Sequence, residues 1–279
     1  LEEALSALTE NEKNSLGSSY RINFFGDNYS FSTADKTAME NTQTTTANEI
    51  LWTSKVDASG VELTNAKTVF PAGDLTFFGK KTIVKDMTMK FMGQHSIYAD
   101  GKPLVISTGV NVSVGTKPDL YGGSNTKKVN KTDLTVKSGA FAAVYGGENG
   151  YGADETSVVI GGDPETASIY GGSRNAETGK TKTEITVPNT TTESAFSFGT
   201  VSGFGTDATD VLTKNVTGTA EVALKQATPT IGCTTTVENL SGFTKLDIGD
   251  VSGEFDHQKF EVTGLTVMWR MAPQPDPTM

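Results

Sequence analysis

Four aromatic corners recur along this chain at nearly constant spacing. They are Ile97-Tyr98-Ala99, Leu120-Tyr121-Gly122-Gly123, Val144-Tyr145-Gly146-Gly147 and Ile169-Tyr170-Gly171-Gly172, and the step between successive tyrosines grows only slightly along the series. Phe196-Ser197-Phe198-Gly199 reads as a fifth corner, one somewhat longer step beyond Tyr170. A second element lies between the corners: Thr132-Asp133-Leu134-Thr135-Val136, Thr156-Ser157-Val158-Val159-Ile160, and Thr181 to Val187. Its threonine keeps one constant offset from the preceding tyrosine, Thr132 from Tyr121, Thr156 from Tyr145 and Thr181 from Tyr170. Two elements on one period define a repeat. A unit this short cannot bury its own apolar face, so it has to stack on copies of itself.

The remaining segments agree. Thr68-Val69-Phe70, Leu75 to Phe78, Thr82-Ile83-Val84 and Met87-Thr88-Met89 are short apolar runs separated by Gly or Asp, too brief for a sandwich and suited to the rungs of a coil. Thirty glycines and 42 threonines favour turns and strands over helices. An apolar fraction of 35% is low for a compact globule but fills a thin core. The expected fold is therefore all-β, a β-solenoid of about 23–25 residues per rung, with rungs about 4.8 Å apart. Leu134, Val136, Val158, Ile160, Ile185 and Val187 should point inward. The corner glycines Gly122, Gly146 and Gly171 should allow a sharp bend, with positive φ in at least one position of each pair. Tyr98, Tyr121, Tyr145 and Tyr170 should stack from rung to rung, the alternative being a row of platforms for sugar rings.

Outside the repeats the reading is coarser. Leu1, Leu5 and Leu8 predict a short helix within residues 1 to 14, and Tyr20 to Phe31 alternates like a strand pair turned at Gly26-Asp27-Asn28. Residues 1–49 are expected to cap or edge the coil, residues 50–200 to form its regular rungs, and residues 201–270 to continue it or close it with an antiparallel cap. Residues 271–279, where proline alternates with polar residues, read as a stiff linker. The chain opens at Leu1 without a signal peptide and reads as a fragment of a larger multidomain protein.

The segments Val144 to Gly150, Thr156 to Gly162 and Ile169 to Ser173 resemble the T-x-V-x-I-x-G-G … V-Y-G-G repeats of large adhesin-like surface proteins of gut bacteria. Ser96 to Ile106 is similar to the IYANG-hydrophobic element found upstream of such repeats. The likeness covers roughly residues 94 to 190. It implies a right-handed parallel β-helix, secretion or attachment to the bacterial cell wall, and a role in adhesion or in presenting neighbouring modules. It brings no catalytic residues.

A formal charge of −10 and a pI near 4.8 disfavour nucleic acid and anionic membranes as partners, and no apolar run is long enough to span a bilayer. Cys233 is the single cysteine, so no internal disulfide is available. His95 and His257 are far apart and lack zinc-ligand spacing. Gly146 to Asp154 fails the calcium-roll pattern because Asn149 replaces its third glycine and Tyr151 its aspartate. A glycoside hydrolase would need two carboxylates at matching positions of adjacent rungs. Asp133 and Glu184 have no such partner between them, and a lyase would need a basic residue beside a calcium cluster. No enzyme activity, cofactor or metal is therefore expected. The expected function is binding a host protein (mucin, matrix protein or immunoglobulin) or a glycan, with a passive stalk and a β-helix lyase or hydrolase as alternatives. The candidate contact residues are Glu148, Asn149, Tyr151, Asp154, Arg174 and Asn175, with a further loop at Asn189 to Glu193.

Overall fold

Among the described residues each strand pairs with strands of adjacent rungs and not with its neighbour in sequence. The computed structural model describes residues 1, 5, 19–24, 28–41, 47–55, 61–63, 67–112, 116–187, 194–205, 216–226, 233–248 and 258–265. His257, the loop at 189–193, the proline-rich segment 271–279 and most of the expected N-terminal helix lie outside them. Of that helix, Leu5 is buried and donates its backbone N–H to the Leu1 carbonyl at 2.9 Å, a helical bond.

Among the described residues the strands form three sheets in which every pair is parallel. The longest has ten strands. It runs Ser19–Asn23, Glu49–Thr53, Thr82–Val84, Leu104–Ile106, Leu134–Val136, Ala153–Ile160, Thr178–Val187, Ala220–Gln226 and Lys245–Asp247, with Val129–Lys131 also paired to Ala153–Ile160. The second holds eight: Leu75–Thr76, Ser96–Tyr98, Asp119–Tyr121, Ala140–Tyr145, Glu165–Tyr170, Ser194–Ser202, Cys233–Ser241 and Gln258–Val262. The third stacks Tyr29–Ser30, Thr68–Phe70, Thr88–Met89 and Asn111–Val112. From Thr82 to Tyr121 the chain visits the first, third and second sheets in turn, and then repeats the tour. From Leu134 onward it alternates between the first two, whose strands lengthen.

Register explains the buried pattern. Ile106, Val136, Ile160, Ile185 and Leu224 share one column of the first sheet. Ile97, Leu120, Val144, Ile169, Val201 and Leu240 share one column of the second. Both columns belong to a single core cluster with Val69, Met89 and Val112 of the third. Leu134, Val136, Val158, Ile160 and Ile185 are buried as expected, each burial stabilising the stack by about 1.5–3 kcal/mol, while the side chain of Val187 lies outside those described.

Tyr20 to Phe31 is not a hairpin. Ser19–Asn23 lies parallel to Glu49–Thr53 in the first sheet, and Tyr29–Ser30 lies parallel to Thr68–Phe70 in the third. Alternation marks a half-buried strand but does not name its partner. Parallel pairing thus begins before residue 50, and it continues past residue 200. Cys233–Ser241 pairs with Ser194–Ser202, and Leu240 bridges Leu265, again in parallel.

The polar stretch after Phe31 holds a helix, Thr33–Asn41. Its start is a reciprocal cap: Ser32 Oγ accepts the Asp35 N–H at 3.1 Å, and Asp35 Oδ2 accepts the Ser32 N–H at 2.8 Å. Met39 carries the apolar face of this helix into the core.

Candidate functional site

The tyrosine corners are structural. Tyr98, Tyr121, Tyr145 and Tyr170 stack with ring centroids 5.1, 4.9 and 4.9 Å apart and planes within 16°. They form a cluster of their own, separate from the main core, because adjacent residues of a strand point to opposite faces. The ring faces are turned to one another and all four residues are buried, which removes the sugar-platform alternative.

One carbonyl accounts for both elements of the repeat. A Cβ on Gly122 would lie 2.3 Å from the Gly146 carbonyl oxygen, and one on Gly146 would lie 2.2 Å from that of Gly171. The same two oxygens accept the hydroxyls of Thr132 at 2.6 Å and Thr156 at 2.5 Å; Thr181 repeats the bond to Gly203 at 2.6 Å. The corner glycines Gly122, Gly146 and Gly171 are therefore required for close approach between rungs. Neither they nor the glycines that follow them have the positive φ expected from the sequence. At the Tyr98 corner Ala99 stands where the later corners have glycine, and the Gly122 carbonyl there accepts the Gly101 N–H at 3.0 Å. In register with Thr132, through the pairing of Leu134 with Leu104, the preceding rung carries Lys102.

The fifth corner is not at Phe198. Tyr170 pairs with Ser202, and Ser202 with Ser241, so the step lengthens from rung to rung. Phe198 pairs with Val237 and is buried in the main core. Strand lengthening carries Phe198 inside despite its aromatic-plus-glycine spelling, and a serine takes the tyrosine's place.

The loop residues expected to meet a ligand divide into several kinds. Glu148 is fully buried, with both carboxylate oxygens lacking a hydrogen-bond partner, so it cannot be a surface contact. Its chain folds over Gly123, where a Cβ would lie 2.7 Å from that of Glu148. Asn175 Nδ2 donates to Asn149 Oδ1 at 3.0 Å, an amide ladder between rungs. Asp154 pairs with Lys128 at 2.6 Å, and Tyr151 is 45% exposed. Arg174 is not a free loop charge. It bonds Asp119 at 3.0 Å and the Tyr121 hydroxyl at 3.3 Å and lies 5.9 Å above the Tyr145 ring. Burial holds the Tyr121 phenol well above its usual range. Asp133 and Glu184 do not share a column: through Val158 and Thr183, Asp133 aligns with Lys182, while Glu184 pairs with Lys182 at 3.2 Å and Lys225 at 2.8 Å.

A concave site lies elsewhere, where the helix Thr33–Asn41 meets the segment 71–76, which leads into the strand Leu75–Thr76, and the loops at Asp100 and Asn125-Thr126. The cleft measures about 220 Å³. Phe31, Met39 and Leu75 line it with apolar surface; Asp74, Asp100 and Thr126 bring polar groups to it. No protein-family model, curated protein or solved structure matches this chain. Asp100 adopts φ 56°, and its carboxylate is fixed by Lys127 at 3.4 Å and Lys102 at 3.8 Å. Burial lowers the Lys102 ammonium, and the Asp100 charge opposes that shift. Asp74 Oδ1 accepts the Ser96 N–H at 2.9 Å and lies 3.5 Å from His95 Nδ1.

The sequence reading did not find this cleft. Two signals for it were present, the Ser32 to Asp35 capping box and the Asp100-Gly101 turn, but neither says that the two elements meet. Among the described residues no group of three or more His, Cys, Asp or Glu side chains is placed to hold a metal. No helix there is long and apolar enough to cross a membrane.

Proposed function

We propose that this chain is an extracellular, adhesin-like binding module of a bacterial surface protein, built on a right-handed parallel β-helix, and that it takes a host protein or glycan at the cleft beside the helix Thr33–Asn41. Right-handedness follows the strong preference of crossovers between parallel strands. The observation that carries the binding role is the cleft itself: an apolar floor with convergent polar groups, one of them a carboxylate fixed by two lysines, on a scaffold whose other repeated polar groups are spent on ladders between rungs.

The experiment is saturable binding of the purified chain to immobilised mucin glycans, matrix proteins and immunoglobulins, beside an Ala72→Trp variant that fills the mouth of the cleft. Binding that is lost in Ala72→Trp supports the reading. Failure of every ligand class at micromolar concentration, or binding indifferent to Ala72→Trp, overturns it.

A passive stalk is the second reading. The tyrosine, threonine and asparagine ladders favour it, since each strengthens the contact between rungs and none presents an open face.

A further inference from the structure

The cleft's size, charge and lining together specify a ligand chemistry. At about 220 Å³ it is smaller than the roughly 300–1,000 Å³ of drug-sized sites, so it holds one ring and not an extended chain. Its two sides differ in kind. Phe31, Met39 and Leu75 are buried side chains that offer a non-polar floor, while Asp74, Asp100 and Thr126 offer acceptors and a hydroxyl at the rim.

Charge narrows the class. Asp100 is 6% exposed and is held from outside the lining by two ammonium groups, Lys102 and Lys127, while Lys36 is a positive charge of the lining itself. Against these stand Asp74 and Asp100. With three ammonium groups against two carboxylates the charges nearly cancel: a cationic ligand would have to displace lysines from Asp100, and an anionic one would find those lysines already engaged and its charge set beside two carboxylates. A neutral ligand meets neither penalty. An immobilised carboxylate is a strong acceptor for hydroxyl groups, and its position costs nothing to organise on binding.

We infer that the cleft binds a single neutral pyranose ring at the end of a glycan, its apolar C–H face on Phe31 and Met39 and its hydroxyls on Asp74, Asp100 and Thr126. This rests on the reading of the cleft as the binding site and narrows its ligand. The volume suits one ring, so further residues of the glycan would lie outside the cleft.

The test is saturation-transfer NMR and calorimetry on the whole chain with methyl glycosides of glucose, galactose, mannose and N-acetylglucosamine, beside sialic acid and N-acetyl-lysine methylamide as charged probes. A dissociation constant on the order of 1 mM is expected for at least one neutral glycoside, as suits so few heavy atoms. The charged probes should bind at least about tenfold more weakly. Asp100→Asn, which tolerates the same backbone conformation, should weaken the neutral glycoside at least about tenfold. The double variant Asn125→Ala/Thr126→Ala, on an exposed loop, should weaken it with an unchanged melting temperature. Absence of saturation by every neutral glycoside, or equal binding by both variants, overturns the inference. If a protein ligand then still binds in a manner sensitive to Ala72→Trp, the cleft keeps its binding role and only the sugar is lost; if nothing does, both fall.

Discussion

The hydroxyl of Thr156 donates to the carbonyl oxygen of Gly171, one rung further along the coil, at 2.5 Å. That oxygen occupies the space that a side chain on Gly146 would fill. A threonine and two glycines, drawn from successive corners of the repeat, thus answer to one atom. The relationship makes the corner a clasp between rungs.

Thr156→Val should break the clasp while keeping the shape of the side chain. The Gly171 carbonyl would lose its hydroxyl partner in a buried setting, at a cost of about 1–3 kcal/mol. Chemical denaturation should register that loss, and Thr156→Ser should recover most of it.

Gly146→Ala should be worse, since its Cβ would stand 2.2 Å from the Gly171 oxygen and 2.9 Å from Val158 Cγ2. Rungs would have to separate, at a cost of more than about 2 kcal/mol, in the range of strained core substitutions. Gly150→Ala is the control: nothing lies within 4 Å of its added Cβ, and its melting temperature should match that of the parent.

Tyr145 stacks on Tyr121 and Tyr170 at 4.9 Å on either side. Tyr145→Ala should open a cavity in the ladder and cost about 3–5 kcal/mol, whereas Tyr145→Phe keeps the stack and should stay within about 1 kcal/mol of the parent. Thermal unfolding of the pair separates the ring's packing from its hydroxyl.

Burial raises the Glu148 carboxyl from an ordinary 4.5 to about 8, and the nearby Asp100 charge adds to the effect; Lys102 and Lys127 are bound to Asp100. The folded chain therefore keeps this proton to higher pH than the unfolded chain does. Its contribution to stability is complete below pH 4.5, declines as pH rises to about 8, and is lost above that. Glu148→Gln should flatten this limb. The variant and the parent should unfold alike near about pH 4, and the variant should melt higher near about pH 9. Parallel pH profiles for the two proteins would refute the assignment.

Much of the scaffold was legible in the sequence because a stacked coil repeats its environment. Ile97, Leu120, Val144 and Ile169 meet the same neighbours in every rung, so the same kind of residue recurs at each step. Tyrosines in register stack for the same reason. The step broke where it changed length. Between Tyr170 and Ser202 the strands grow longer, and Phe198, whose motif spells a corner, lies in the core.

The sequence by itself determined the period, the stacking that a short apolar repeat imposes, and the side chains that fill the interior of the regular rungs; that the strands pair in parallel was only what the resemblance implied. Only the tertiary structure decided what the repeated glycines and threonines are for, that Glu148 is enclosed, that Arg174 serves the tyrosine ladder, and that a helix meets three turns to form a cleft. The division has a physical cause. Periodic contacts leave their period in the chain, whereas the carbonyl of the next rung, a neighbouring charge or the gap between Met39 and Asp100 arises from residues brought together only by winding.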